Sequence, residues 1–417
     1  MADLELNSCQ NAALEVLEGT SNVFLTGVAG SGKSFLIRHF LRHREMDSFP
    51  ILASTGAAAI LVGGRTFHSY FGLGIMQGGF DATVERALKN SRLVKRLKKT
   101  EGVVIDEISM LSGPTLRAAE AISRIARGRD TAWGGLRIIA VGDFAQLPPV
   151  SQVGRREWAF QDSTWARSNF VPFMLKTIMR SKDEAYLEIL NQVRNGICSE
   201  KVANFLDARK LPHPGEFLGT RLFPRRDMTE QFNLQKLAEI GGEAKFIQTE
   251  YRGAEKSIGD LKRSSPVPEV ISLKKDALIM MRQNDPMGRF VNGSLGTIIH
   301  MTDEKLRIKL LSGREVDIEK ASFSLLDAEG KEVATAKNFP VNLAYATTIH
   351  KAQGMTLDSL MVDLRNLWEP GQAYVAMSRV KESTGIFVTA WTQSSIKTDP
   401  DVSEFYRGVF GAQYELE

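Results

Sequence analysis

Gly27-Val-Ala-Gly-Ser-Gly-Lys-Ser34 fits G-x-x-x-x-G-K-[ST] at every fixed position. Ahead of it, Asn22-Val-Phe-Leu-Thr26 is an apolar run that reads as a short buried strand; behind it, Phe35-Leu-Ile-Arg-His-Phe-Leu41 carries apolar residues at helical spacing. Strand, loop and helix in that order form the setting in which such a loop wraps phosphate. Glycines let backbone N–H groups turn inward on phosphate oxygens, and the helix N-terminus adds the positive end of its dipole. On this reading Gly27, Val28, Ala29, Gly30, Ser31 and Gly32 form the cradle, Lys33 reaches the β- and γ-phosphates, and Ser34 holds Mg²⁺. The chain is expected to bind a nucleoside triphosphate, and the rest of the sequence is read for the use it makes of it.

At 417 residues the chain is too long for one ordinary core, and two to three domains are expected. Apolar content of 43% and charged content of 24% are those of a water-soluble globular protein. Two cysteines, Cys9 and Cys198, form no C-x-x-C pair and have no histidine cluster nearby, which argues against a disulfide framework or a zinc site. No apolar run approaches a membrane span, and Met-Ala-Asp-Leu-Glu lacks the regions of a signal peptide. A protein that is not secreted is expected: cytoplasmic, in a bacterial or phage-infected cell, or otherwise intracellular. The net charge of +4 does not announce a nucleic-acid partner, so any such partner must be gripped by a local groove.

Along the chain, Leu4 to Leu17 is helical in spacing, with Gln10 at its centre as either an adenine-reading amide or a solvated helix residue. Pro50-Ile-Leu-Ala-Ser-Thr55 reads as a second buried strand, followed by a helix start of small residues. In Gly63-Gly-Arg-Thr-Phe-His-Ser69, hydroxyls beside Phe67 and His68 are either a grip on phosphates with a ring for a base or an ordinary aromatic anchor. Phe71 to Phe80 is Gly-rich and suggests an irregular or mobile insertion. Lys89 to Lys99 then gathers six cations, a phosphate-binding face or a solvated helix face.

Gly102-Val-Val-Ile-Asp-Glu-Ile-Ser-Met-Leu111 places two carboxylates at the end of a buried strand, where open parallel sheets bind their ligands. Asp106 suits Mg²⁺, and Glu107 suits orienting and deprotonating the attacking water. Leu136 to Val150 repeats the pattern: a strand, then Gly142-Asp-Phe-Ala-Gln-Leu-Pro-Pro149, with Gln146 as a sensor of the γ-phosphate. Farther on, Pro224-Arg-Arg226 reads as the close of a strand near the second core, with Arg225 and Arg226 either structural, phosphate-binding or simply exposed. Residues 252 to 268 are polar with two prolines and read as a loop, and residues 294 to 325 alternate as a small antiparallel barrel or meander.

Gly27–Ser34, Asp106-Glu-Ile-Ser109 and Gly142–Pro149 together resemble motifs I, II and III of superfamily 1 helicases, in the form of the Pif/RecD-like (1B) group that includes phage Dda-type helicases. Met179 to Gly196 is similar to that group's motif IV and signature stretch, with Arg180 on the motif arginine, Ser181 where many members carry glutamine and Tyr186 where phenylalanine is frequent. Phe290-Val-Asn-Gly-Ser-Leu-Gly-Thr297 matches the group's Val-Asn-Gly-Ser turn. Leu343 to Gly354, ending Thr348-Ile-His-Lys-Ala-Gln-Gly354, resembles motif V, and Tyr374-Val-Ala-Met-Ser-Arg-Val380 resembles motif VI, with Arg379 on its arginine and Met377 at a position where leucine is common. The motifs run from Gln10 to Val380, so the resemblance covers nearly the whole chain, and Gln10 falls on the group's adenine-reading glutamine.

The resemblance implies an α/β fold of two RecA-like P-loop NTPase cores with parallel sheets. The first spans about residues 1–165, with an inserted wedge region at about 70–100. The second spans about 166–417, with an SH3-like β insertion at about 291–336. It implies an ATP- and Mg²⁺-dependent DNA helicase, a DNA-stimulated ATP hydrolase moving 5′ to 3′ on single-stranded DNA and acting on tailed or forked duplexes in replication, recombination or repair. A monomer is expected, with no membrane partner. The implied catalytic set is Lys33, Glu107, Gln146, Arg180 and Arg379, the last two reaching in from the second core. Gly354 joins the nucleotide ligands, and Thr55, Phe67, His68, His350 and Lys351 are the candidates for holding DNA. The same motor would also serve a translocase or protein-displacing remodeller that does not unwind. A small-molecule kinase is disfavoured, because it leaves a second core and His350-Lys351 without a purpose.

Overall fold

Around the phosphate loop, each central strand sends alternate side chains into two different cores. Val23, Leu25, Val104, Ile139 and Val141 face one, with Leu36, Ile37 and Phe40. Phe24, Val103, Ile105, Ile138 and Ala140 face the other, with Leu116, Ala119 and Trp133. Such double-sided burial is why these runs read as continuous apolar stretches. The strands form one six-stranded parallel sheet in the order Arg65–Thr66, Ile51–Ala53, Gly102–Ile105, Arg137–Val141, Val23–Gly27, Val171–Leu175. The loop, the Asp106-Glu107 pair and Asp143–Gln146 all follow the C-terminal ends of its strands. The computed structural model describes residues 6–42, 44–45, 48–54, 59, 65–74, 76, 78–149, 156–211, 217, 219–285, 287–326 and 331–411.

The chain forms two units, Met1–Arg180 with Leu326–Lys331 and Asp399–Glu417, and Ser181–Leu325 with Glu332–Thr398. This corrects the expected division in two places. The boundary falls after Arg180 and not at 165, because Val171–Leu175 pairs in parallel with Val23–Gly27 along its whole length. The C-terminal segment belongs to the first unit, because helix Pro400–Phe410 buries Val402 and Tyr406 in the core that holds Phe24. Asp399 caps that helix and Pro400 opens it, a sequence signal of a helix start.

The stretch from 70 to 100 is mostly regular. Helices Gly79–Leu88 and Ser91–Lys99 insert Val84, Ala87, Leu93 and Leu97 into the first unit's core. Residues 71–74 lie outside helix and strand, as the glycines suggest, but Phe71 and Leu73 are buried anchors.

The second unit has its own parallel sheet, in the order Ala346–Thr348, Thr220–Phe223, Leu360–Leu364, Ile386–Trp391. Between Phe223 and Ala346 the chain builds an antiparallel sheet, in the order Glu315–Glu319, Lys305–Leu310, Leu295–Met301, Leu278–Met281, Val341–Leu343. In it Leu306, Ile308, Leu310, Val316 and Ile318 are buried at every second position, as the alternation reads. The loop expected at 252 to 268 is a helix over Glu255–Ser264: Leu261 is buried, and the prolines at 266 and 268 come after its end. Among the described residues no helix is long and apolar enough to cross a membrane.

Candidate functional site

The phosphate loop is folded to receive a ligand. Gly30 and Gly32 both have φ of +86°, a left-handed backbone that side chains disfavour. The space is also taken, since a Cβ on Gly32 would lie 2.6 Å from Gln10 Nε2 and one on Gly30 2.6 Å from Arg180 Cβ. Helix Lys33–Leu41 starts at the loop's end. The Lys33 ammonium donates to the carbonyls of Gly27 at 2.6 Å and Val28 at 3.1 Å, which holds it over the cradle. Ser34 is exposed in the first helical turn.

Gln10 sits against this loop in a capping box: its side-chain oxygen accepts the Asn7 N–H at 3.2 Å, and its own N–H donates to Asn7 Oδ1 at 2.8 Å. Among the described residues its buried amide nitrogen has no hydrogen-bond partner. An orphaned donor beside a phosphate loop fits a nucleobase edge.

Asp106 and Glu107 follow strand Gly102–Ile105. Loss of solvent, and then the neighbouring Glu107 carboxylate, pushes the Asp106 carboxyl up to about 7. Crowded carboxylates of this kind fit a divalent cation, which would relieve both effects. Glu107 has φ 53° and ψ 50°, so the chain swings into a left-handed turn there. Backbone conformations of this rarity cluster at functional sites.

Gln146 is buried at the end of a loop that a distant residue braces. The Tyr406 hydroxyl donates to Asp143 Oδ1 at 3.0 Å, accepts the Phe144 N–H at 2.9 Å, and lies 2.9 Å from the Thr26 hydroxyl. One buried phenol thus ties the strand entering the phosphate loop to the segment leading to Gln146. The order of motifs gives no sign of it, because Tyr406 stands beyond the last of them.

Arg180 belongs to the first unit, not the second as expected. The backbone N–H groups of Met179 and Arg180 both donate to the Gly30 carbonyl, at 2.9 and 3.2 Å. Arg379 lies in the second unit, almost fully buried. Its Nε donates to the Val375 carbonyl at 2.7 Å and one Nη to the Ser378 hydroxyl at 2.6 Å. Its other Nη is 3.5 Å from the carbonyls of both Ala352 and Met355. It therefore joins the two segments that resemble motifs V and VI. Tyr186 strengthens the same corner, its buried hydroxyl donating to the Met377 carbonyl at 2.6 Å. Burial holds that phenol well above its ordinary range. The departure from phenylalanine at this position thus adds a hydrogen bond that phenylalanine lacks.

Also in the second unit, the Thr348 hydroxyl caps helix Ile349–Ala352 by accepting the Lys351 N–H at 3.1 Å. His350 Nε2 is 3.1 Å from Glu369 Oε2, which orients the ring. Lys351 is exposed. Partial desolvation, and then Arg226 and Arg282, lower its pKa. Gly354 has φ +77°, and a Cβ there would meet open space, so the backbone angle and not crowding calls for glycine.

Of the expected DNA contacts on the first unit, Phe67 is corrected. Its ring is fully buried, 4.8 Å from the ring of Phe71, and serves as a core anchor with no face open to a base. His68 is half-buried, and desolvation lowers its pKa. Thr55 and most of the helix start after it lie outside the described residues.

Residues 5–204 match the PIF1-like helicase family. The ATP-dependent DNA helicase Pif1 of Bdellovibrio bacteriovorus is 51% identical over 405 residues, covering 97% of this chain and 92% of that protein. The Xenopus laevis ATP-dependent DNA helicase PIF1 is 31% identical over 97% of this chain, which spans 64% of that longer protein. Among solved structures, Bacteroides sp. Pif1 in complex with ADP-AlF4 superposes with a TM-score of 0.87 at 25% identity, covering 99% of this chain and 98% of that one. Bacteroides Pif1 in complex with ADP-AlF3 and single-stranded DNA gives a TM-score of 0.67 at 25% identity, covering 98% of this chain and 99% of that one. The two parallel-sheet units are accordingly the RecA-like cores of this fold, and the chain belongs to the PIF1-like helicase family.

Proposed function

We propose that this chain is an ATP-dependent DNA helicase that moves 5′ to 3′ along single-stranded DNA and couples ATP hydrolysis to strand separation. One observation carries the reading: a phosphate loop with an orphaned Gln10 amide on one side and the Asp106-Glu107 pair on the neighbouring strand end. The family's relatives, named as ATP-dependent DNA helicases, support it. Gln10 selects the base, the loop and Lys33 hold the phosphates, and Ser34 and Asp106 are the groups to hold Mg²⁺, which when bound neutralises phosphate charge. Glu107 takes the proton of the attacking water. Gln146 senses the γ-phosphate, and Arg180 and Arg379 are assigned to stabilising its developing charge. His68, His350 and Lys351 remain assigned to DNA.

Strand separation on 5′-tailed, 3′-tailed and forked duplexes tests the proposal. Unwinding from the 5′ tail and the fork, with none from the 3′ tail, is expected. ATP-driven movement or protein displacement without strand separation would replace unwinding by remodelling. Lys33→Ala should lower DNA-stimulated ATP turnover by about a thousandfold or more, since the lysine acts on the charge that develops during transfer; undiminished turnover would refute the assignment of the loop.

A further inference from the structure

Arg282 is a buried cation that meets no carboxylate among the described residues. It is 6% exposed and directly follows strand Leu278–Met281, which is hydrogen-bonded on both sides, so the residue cannot slip outward. Its backbone N–H is fixed to the Pro340 carbonyl at 2.8 Å. Among the described residues its guanidinium has only two methionine sulfurs as neighbours for hydrogen bonding, Met280 Sδ at 3.7 Å and Met355 Sδ at 3.5 Å, and its Nε is buried with no partner. Thioether sulfur is a weak acceptor. Burial pushes the guanidinium down to about 10, so it stays charged at neutral pH. An unpaired buried charge is strongly unfavourable, and an apolar side chain of similar volume would serve a purely structural role better.

The neighbourhood explains why such a charge is kept. Met355 closes the turn after helix Ile349–Ala352, which carries Lys351, its N–H donating to the Ala352 carbonyl at 3.0 Å. The Val291–Ser294 turn packs against the same place: a Cβ on Gly293 would lie 2.7 Å from the Thr356 carbonyl oxygen. Arg282 and Arg226 are both near enough to Lys351 to disfavour its charge. Among the described residues Glu230 is the carboxylate acting on Lys351, and it is already paired with Arg226 at 2.6 Å. Three cations from three segments therefore converge, and among the described residues the most buried of them has no carboxylate acting on it.

We propose that Arg282, together with Lys351 and Arg226, forms a phosphate-binding site for the backbone of single-stranded DNA, with Arg282 as its fixed inner ligand. The phosphodiester supplies the acceptor oxygens that the methionine sulfurs only approximate, and an exposed Lys351 marks the open side. The proposal rests on the assignment of His350-Lys351 to DNA.

The test is Arg282→Met in the full chain, with labelled oligo(dT) as the probe. Replacing an unpaired buried charge by an isosteric apolar chain should raise the Tm of the DNA-free protein by a few degrees. Oligo(dT) affinity should fall about tenfold, and the slope of log Kd against log salt should flatten by about 0.7, one phosphate contact on a single strand. Arg282→Lys should keep the slope while losing part of the affinity. An unchanged slope in the methionine variant overturns the proposal, and so does a fall in its DNA-free Tm, which would make the guanidinium a support of the fold. A parallel titration with a non-hydrolysable ATP analogue separates the two sources of phosphate: weakened nucleotide with unweakened oligo(dT) would assign Arg282 to the nucleotide and also overturn it. A wild-type protein that fails to bind oligo(dT) would refute the helicase reading itself, whereas a binding wild type with an unaltered variant refutes only the role of Arg282.

Discussion

Gln10 shows how much one side chain does when its two ends are treated differently. Its oxygen is taken up by the capping box with Asn7, so only the amide nitrogen is left facing Gly32, and among the described residues that buried nitrogen has no partner. A buried donor without a partner is tolerated where a ligand completes it. Gln10→Ala should therefore raise KM for ATP about tenfold, the worth of one good hydrogen bond, and reduce the preference for ATP over GTP. Steady-state kinetics with both nucleotides decide this; an unchanged KM and unchanged preference would return Gln10 to a capping role alone. Phe67 makes the opposite point. An aromatic beside a histidine in a Gly-rich stretch reads equally as a base platform or a core anchor, and only its complete burial against Phe71 selects the anchor.

At the level of elements, the Asp285 carboxylate gathers the donors of the first half of the turn that runs from Asp285 to Ser294. Asp285 accepts the N–H groups of Met287 and Arg289, each at 3.0 Å, and grips the Arg289 guanidinium at 3.0 and 2.7 Å. The Arg289 guanidinium, with the backbone N–H groups, holds the Asp285 carboxyl down at about 2. A depressed carboxyl contributes stability that is fully present above its unfolded value and lost as pH falls toward its folded one. Asp285→Ala should thus cost about 2 kcal/mol at neutral pH by stranding its donors. The stability gap between wild type and variant should shrink as pH falls from about 4 toward 2. Denaturant unfolding at several pH values measures it, and a gap independent of pH would show that Asp285 acts through packing. The same turn places Gly293 against Thr356, so its rigidity bears on the segment carrying Lys351.

For the whole molecule, the chain's end returns to its beginning. Helix Pro400–Phe410 lies in the first unit's core, where Phe405 stacks on Phe160 with centroids 4.3 Å apart and packs on Phe24, Phe144 and Trp165. Removing residues 399–417 strips this aromatic cluster of a wall and leaves Asp143, Phe144 and Thr26 without the Tyr406 hydroxyl. The expected result is a Tm lower by about 10 °C or more, as for loss of several large core side chains, and a fragment of residues 1–180 that unfolds non-cooperatively alone. Calorimetry of both proteins checks this; a fragment as stable as the full chain would show that the helix merely rests on the surface. Closure of a unit by a segment more than 200 residues away is a slow, non-local contact, so this unit is expected to complete its folding only after the chain is finished.

The amino-acid sequence alone determined what is local. The phosphate loop, the Asp106-Glu107 strand end, the segment to Gln146 and the alternating meander were legible because each depends on spacing within some ten residues and on periods of 2 or 3.6. Family resemblance extended the reading to Gln10, Arg180 and Arg379, although Arg180 lies in the first unit where the resemblance implied the second. What required the tertiary structure is what joins distant positions: the Tyr406 phenol on Asp143 across 263 residues, Arg180 seated on Gly30, the burial of Phe67, and the burial of Arg282 beside two methionine sulfurs. A hydroxyl or a guanidinium carries no periodic signature. Whether it is a brace, an anchor or a ligand depends on which groups the fold brings within hydrogen-bonding reach and which solvent it removes, and one-dimensional spacing records neither.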